Sequence, residues 1–195
     1  MSSLSPTPEL LARVRTGEEE AWRELISLLT PLVSKIIHNQ VRRTSDHEDL
    51  AQEVLTKIFL KLNQFAGKQP FTHWVSRITI NTCYDWLRKD KARPLVSYSD
   101  LCDTQAEILE KNLSGDSTSN NEDLSAMREL LDRLISTLKP REQIVIRLLD
   151  LEEKSVQDVC NLTGWEASKV KVTAMRARRK LTQQLKKLEH ADHQK

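Results

Sequence analysis

Glycine and tyrosine are scarce: four and two residues in a chain of 195. Strands draw on aromatic side chains and sheet turns draw on glycine, so this shortage argues against a β-rich architecture and for helices. Cysteine is sparse too. Cys83, Cys102 and Cys160 are odd in number and far apart, and no C-x-x-C pair occurs. That excludes a disulfide framework and a zinc ribbon and leaves reduced thiols as the expectation. The histidines (His38, His47, His73, His190, His193) keep no ligand spacing with a cysteine or carboxylate, so no metal is expected. No apolar run approaches the ~20 residues of a membrane span. The start, MSSLSPTPEL, lacks the basic-then-apolar order of a secretion signal. A cytoplasmic protein that itself makes no membrane contact is expected. A Gly-rich phosphate loop, a nucleophile constellation and a paired-carboxylate pattern are also missing, so neither an enzyme nor a cofactor is expected.

What is present is charge, and it is organised. Charged residues make up 30% of the chain, yet the net charge is only +2. Residues 1–93 carry 14 basic and 11 acidic side chains, residues 94–127 one and seven, and residues 128–195 fifteen and ten. Two mildly basic bodies flank an acidic connector, a pattern suited to two anion-binding units.

Periodicity makes most of the chain helical. A short helix from Glu9 places Leu10, Leu11 and Val14 inward and breaks at Thr16-Gly17. Trp22, Leu25, Ile26 and Leu29 form the next stripe. Thr30-Pro31 marks a kink or a new start, and the pattern continues to Arg42-Arg43. In TSDHEDLAQEVLTKIFLKL, Ser45 or Asp46 can cap a helix whose buried face is Leu50, Val54, Leu55, Ile58, Phe59 and Leu62. Asp49, Gln52, Glu53 and Thr56 share its outer face. The loop NQFAGKQP precedes a long helix, FTHWVSRITINTCYDWLRKDKAR, with Trp74, Ile78 and Trp86 inward. Residues 94–125 lose periodicity and read as a linker, with room for a short helix at 103–112. From Glu122 helices resume: LSAMRELLDRLISTL, then PREQIVIRLLDL, then a short helix capped by Ser155 with Val156, Val159 and Leu162 inside.

The stretch WEASKVKVTAMRARRKLTQQLKKL, Trp165 to Leu188, holds eight Lys or Arg and one acid. Val170, Ala174, Ala177, Leu181, Leu185 and Leu188 form its apolar stripe, and the opposite face is cationic. A short helix, a turn at Asn161 to Gly164 and a basic helix make a helix-turn-helix. Such a helix fits the major groove, where Lys and Arg neutralise phosphates and Arg grips guanine edges. Ser168, Lys169, Thr173 and Arg176 are placed for bases and nearby phosphates; Lys171, Arg178, Arg179 and Lys180 are placed for the backbone. A solvated cationic surface is the competing reading. A second basic cluster, WLRKDKAR, follows a helix carrying Trp74, Asn81, Tyr84 and Trp86. Rings beside cations suit single-stranded nucleic acid, although core tryptophans above a cation-favouring helix C-terminus would give the same pattern.

These residues resemble the bacterial sigma factors, in particular the small extracytoplasmic-function (ECF) group with sigma domains two and four only. DHEDLAQEVLTKIF is similar to the family's acidic D-x-E-D-L-x-Q-E-x-F helix through Asp46, Glu48, Asp49, Leu50, Gln52 and Glu53, with Leu55 where Phe is usual. Trp74, Ile78, Asn81, Asp85 and Arg88 match its W-L-x-x-I-A-x-N-x-x-x-D-x-x-R helix. Leu138, Pro140, Gly164, Val170, Lys171, Arg176, Ala177, Arg178 and Leu181 match the third motif. Lys169 and Thr173 replace the usual Thr and Arg, so the duplex preference of relatives does not carry over.

The resemblance implies an all-α chain: an N-terminal segment with a short helix at 1–19, sigma domain two at 20–93, an acidic flexible linker at 94–125, sigma domain four at 126–188 and a tail at 189–195. It implies a sigma factor that binds core RNA polymerase through the clamp helices of the largest subunit and the flap. Asp46, Glu48, Asp49, Gln52, Glu53 and Thr56 would face the polymerase. Lys68, Gln69, Trp74, Arg77, Asn81, Arg88, Lys89 and Arg93 would hold the minus-ten element as single strand. The helix-turn-helix residues named above would read the minus-thirty-five element as duplex. An anti-sigma factor is the implied control. The rival is a stand-alone helix-turn-helix regulator on duplex operator DNA, which leaves the acidic helix without a task.

Overall fold

A computed structural model describes residues 6–42, 44–92 and 120–192. Among them are eight α-helices and no strand, so the all-α expectation holds. Helix α1 is Pro8–Arg15, α2 Glu19–Gln40, α3 His47–Lys61 and α4 Phe71–Ala92. Helix α5 is Asn120–Thr137, α6 Pro140–Ile146, α7 Val156–Thr163 and α8 Ala167–Asp192. The possible short helix at 103–112 lies outside the described residues.

Local chemistry sets the boundaries. Thr7 accepts the Leu10 N–H and Pro8 opens α1, while Gly17 leaves it at a φ of 84°. Helix α2 continues unbroken through Pro31. The proline costs one i→i−4 bond, but Ala21, Leu25, Leu29, Val33 and Ile37 continue one buried stripe across it, so packing keeps the helix whole. Ser155 and Asp158 form a reciprocal cap on α7, which ends at Gly164 in the left-handed region. After α6 the chain widens into a π-helical turn at Arg147–Leu151 and leaves it through Glu153 at a φ of 52°.

Helices α2, α3 and α4 pack on one another, and α4 also packs on α6 and α7. One core therefore runs through both halves of the chain. Leu25, Leu29, Ile37, Leu50, Val54, Ile58, Val75 and Ile80 join Ile144, Val145, Leu148, Val159, Val170 and Ala174 in it. A smaller cluster of Ile135, Leu138, Ile146 and Ala177 ties α5, α6 and α8 together.

Three expected faces are corrected. Phe59 is 52% exposed and sits edge-on to Trp22 at 5.0 Å. Only one of two adjacent helix positions can point at a flat neighbour, and Ile58 holds that place. On α4 the fully buried residues are Val75, Thr79, Ile80, Thr82 and Cys83, whereas Trp74, Ile78 and Trp86 are half-buried. Covered on two sides, α4 buries small and branched residues along its middle and Phe71 at its start, and leaves Trp74 and Trp86 at the margins. Leu185 is 41% exposed, so the apolar stripe of α8 is not buried along its whole length. Helix α5 also begins at Asn120, inside the stretch expected to be linker.

Candidate nucleic-acid interface

The outer face of α3 carries the acidic and amide residues. Glu48, Asp49, Gln52 and Thr56 are exposed, Glu53 is half-buried, and Asp46 occupies the N-cap position. Glu48 and Asp49 sit in the first turn, where the helix dipole favours them. Glu53 pairs with Lys57 at 2.7 Å. The same stripe, continued by one more turn, ends in Leu60, which is 70% exposed. Sequence periodicity had assigned it no role.

Behind α3 lies a cavity of about 420 Å³ between α3, the following loop and α4. Gln69, Trp74, Arg77 and Asn81 line it, which brings four of the expected minus-ten residues together. Lys57, Lys61, Gln64, Ile78, Thr82 and Asp85 complete the wall. Lys57 donates to Thr82 Oγ1 at 3.2 Å and so links the α3 face to the cavity. Trp74 is steadied by Phe65 and Phe71, at centroid distances of 5.5 and 5.4 Å. Arg15 of α1 donates to the Phe65 carbonyl at 2.9 Å and pins the loop. Lys68 is exposed beside Gly67 at the loop tip and does not line the cavity. Arg88 lies over the Tyr84 ring at 5.7 Å and 3.8 Å from Asp85; Lys89 is exposed. Arg93 lies outside the described residues. The cavity cations Lys57 and Lys61 were missed; their i,i+4 spacing on the inner flank of α3 was the available signal.

The basic helix α8 follows the α7 turn as expected. Val170, Ala174 and Ala177 are buried against α6 and α7, and Ser168, Lys169, Lys171, Arg176, Arg178 and Arg179 are exposed. Thr173 and Lys180 are half-buried. Two cations are engaged within the protein. Arg178 donates to both oxygens of Asp150, at 2.5 and 3.1 Å, and this ion pair raises its pKa above the ordinary arginine value. Lys180 grips both oxygens of Glu142, at 2.7 and 2.9 Å. Burial pushes the Glu142 carboxyl up, but Lys180 and the Lys139 N–H together hold it below its ordinary value. Lys169, Lys171, Arg176 and Arg179 have no acidic partner among the described residues, and they form the available cationic front.

The two surfaces meet. Arg77 lies against Gly164, where an added Cβ would come within 2.6 Å of its Nη2. Tyr84 meets Trp165 edge-on at 5.4 Å, and the Arg141 guanidinium covers Trp165 at 4.9 Å. Gln40 donates to Glu152 at 2.8 Å, and Lys91 donates to the carbonyls of Thr137 (2.9 Å) and Leu138. Burial lowers the Lys91 pKa, with Glu142 opposing that shift.

Residues 25–93 match the family model for Sigma-70 region 2, and residues 128–181 match that for Sigma-70 region 4. The chain is 27% identical over 172 residues to the ECF RNA polymerase sigma-E factor of Escherichia coli K12, covering 87% of this chain and 88% of the relative. The chain is an ECF sigma factor. The sigma-E factor of Haemophilus influenzae is 26% identical over 182 residues, covering 92% of this chain and 95% of the relative. A solved structure of CnrH in complex with the cytosolic domain of CnrY shares the fold, with a TM-score of 0.54 and 18% identity over 91% of this chain and 96% of that one. As a sigma factor the protein is a non-enzymatic initiation factor that works with core RNA polymerase. Among the described residues no helix is long and apolar enough to cross a membrane, and no cluster of His, Cys, Asp and Glu could hold a metal.

Proposed function

We propose that this sigma factor directs core RNA polymerase to promoters by holding the minus-ten element as single strand in the α3–α4 cavity and reading the minus-thirty-five element as duplex with α8. The observation that carries the reading is the convergence of Gln69, Trp74, Arg77 and Asn81 on one cavity flanked by Lys57 and Lys61. Its volume, about 420 Å³, falls in the ~300–1,000 Å³ range of sites that enclose a small ligand. The Asn81 amide offers both a donor and an acceptor to a base edge, and the lysines suit its phosphates. Unstacking a base costs a few kcal/mol, and aromatic or pocket contacts return ~1–3 kcal/mol per base.

The functional units are residues 20–93 and 126–188, joined by 94–125. The α3 face of Asp49, Gln52, Glu53 and Thr56, with Asp46 and Glu48 at its head, docks on the polymerase clamp helices; the C-terminal unit meets the flap. Tethering both units to polymerase turns two weak DNA contacts into one specific contact. The place of action is the cytoplasm, and control is by an anti-sigma factor. A complex between CnrH and a second protein's cytosolic domain supports that last element.

Run-off transcription with core RNA polymerase of the source bacterium tests the reading. The wild-type chain creates discrete start sites on a promoter pool. Asp49→Ala, Gln52→Ala and Glu53→Ala together abolish them. Asn81→Ala keeps polymerase binding but loses base preference within the melted element. Start sites that survive the triple substitution would remove α3 as the docking face. Duplex binding by the free chain, without any transcription, would favour the operator-binding regulator instead.

A further inference from the structure

The recognition face of α8 carries exposed apolar side chains among its cations. Among the exposed large apolar side chains, Val172 (41%) and Met175 (63%) stand on this helix's N-terminal half. At 100° per residue they lie about 15° and 45° from the line opposite Val170, Ala174 and Ala177. Arg179 and Ser168 share that crest. Lys169, Lys171 and Arg176 flank it, and Thr173 falls back toward the core and is half-buried. A merely solvated helix face would not favour this arrangement: Val is a weak helix former, and both side chains leave apolar surface in water. Free cations on both flanks give the crest its occupant. Lys169, Lys171 and Arg176 on the flanks, with Arg179 on the crest, suit the phosphates that border a groove in duplex DNA.

In the major groove the one apolar feature on a base-pair edge is the thymine 5-methyl group. We infer that Val172 and Met175 set the upstream sequence preference by packing on the 5-methyl groups of two thymines. This rests on α8 being the reader of upstream duplex, and deepens it. The helix rises ~4.5 Å between the two residues, against ~3.4 Å per base pair, so the thymines lie on adjacent or next-adjacent pairs. The β-branched Val172 presents a rigid, shaped surface to one methyl. The unbranched, flexible Met175 adapts to a methyl on either strand.

The experiment uses the complete holoenzyme, core polymerase plus this chain. Duplexes randomised over the upstream element are selected for holoenzyme binding. The selected sequence is then resynthesised with deoxyuridine in place of each thymine in turn, which removes the methyl group alone. Two positions should weaken binding about fourfold each, the factor corresponding to one buried CH₂. Val172→Ala should remove the sensitivity at one position and Met175→Ala at the other; both substitutions raise helix propensity on an exposed face, and thermal melting checks that the fold is kept. The inference is overturned by a selected element without thymine, by indifference to deoxyuridine, or by sensitivity that persists in the double variant. In each of those outcomes transcription still depends on the chain, so the sigma reading stands. Failure of that reading looks different: the holoenzyme selects no upstream sequence and starts no transcripts.

Discussion

Single residues decide where this protein touches others, and Leu60 makes the sharpest case. It is 70% exposed at the end of the stripe of Asp49, Gln52, Glu53 and Thr56. An apolar side chain at the edge of the proposed charged docking face adds desolvated contact, where the charges mainly steer and orient. Leu60→Ser should weaken core polymerase binding by roughly tenfold, about 1.4 kcal/mol, and leave the melting temperature nearly unchanged. Competition against labelled wild-type chain for core polymerase measures it, and an unchanged affinity would place Leu60 outside the contact. Gly164 is a second case. Its φ of 76° penalises any L side chain, and Arg77 fills the space a Cβ would take. Gly164→Ala should cost ~1–2 kcal/mol in urea denaturation. Because the Arg77 terminus is free to swing aside, Arg77→Ala should not restore the loss; restoration would make crowding, not backbone strain, the cause.

At the scale of elements, local signals carried far. Ser155 with Asp158, Pro140 at the start of α6 and Gly164 after α7 are short-range devices that act through backbone groups two to four residues away, so their effect is written where they stand. Ser155→Ala should remove about 1 kcal/mol, read by thermal or urea unfolding. Periodicity failed where it had to choose between neighbours or faces: Ile58 against Phe59, and the many-sided burial of α4. The π-turn at Arg147–Leu151 left no mark in the pattern, since an added residue per turn is decided by what packs around it. The Glu142–Lys180 pair, joining α6 to α8, was equally invisible, because its partners are distant in the chain. Its consequence is a pH effect of defined sign. The folded Glu142 pKa is depressed below the ordinary 4.5, so the unfolded chain binds more protons there as acid is added. The stabilisation is complete above pH 4.5 and fades as pH falls through the lower folded value. Glu142→Gln should therefore flatten the acid limb of stability against pH below that point; an unchanged acid limb would mean other carboxylates govern it. Cys83, whose thiol burial pushes up to about 12, should stay unreactive to alkylating reagents while the chain is folded.

For the whole molecule the sequence foretold two bodies and left their arrangement open; the structure packs them on one continuous core. That arrangement depends on contacts between residues far apart in the chain, such as Gln40 with Glu152 and Arg42 with Glu129, and no periodic pattern encodes them. It also bears on function. Positions ten and thirty-five base pairs upstream lie ~85 Å apart along B-DNA at ~3.4 Å per pair. The cavity residue Arg77 touches the α7–α8 turn, so the chain in this arrangement cannot present the two proposed readers at that separation. The residues between Ala92 and Asn120, fully extended, would span ~90 Å, which suffices once the core between the halves parts. Trp165 is the point at which to test this. It meets Tyr84 edge-on and lies under Arg141, contacts worth together ~1–3 kcal/mol, so removing the ring shifts the closed–open balance by about five- to 150-fold. Trp165→Ala should enlarge the radius of gyration of the free chain in solution scattering. It should also raise the free chain's affinity for a single-stranded minus-ten oligonucleotide several-fold, because Arg77 and Tyr84 are released together. Lys91→Ala, which removes the tie to the Thr137 and Leu138 carbonyls at the other end of the interface, should add to both effects. If size and single-strand affinity stay at wild-type values in the double variant, the aromatic contact does not hold the halves together, and opening must be driven by polymerase alone.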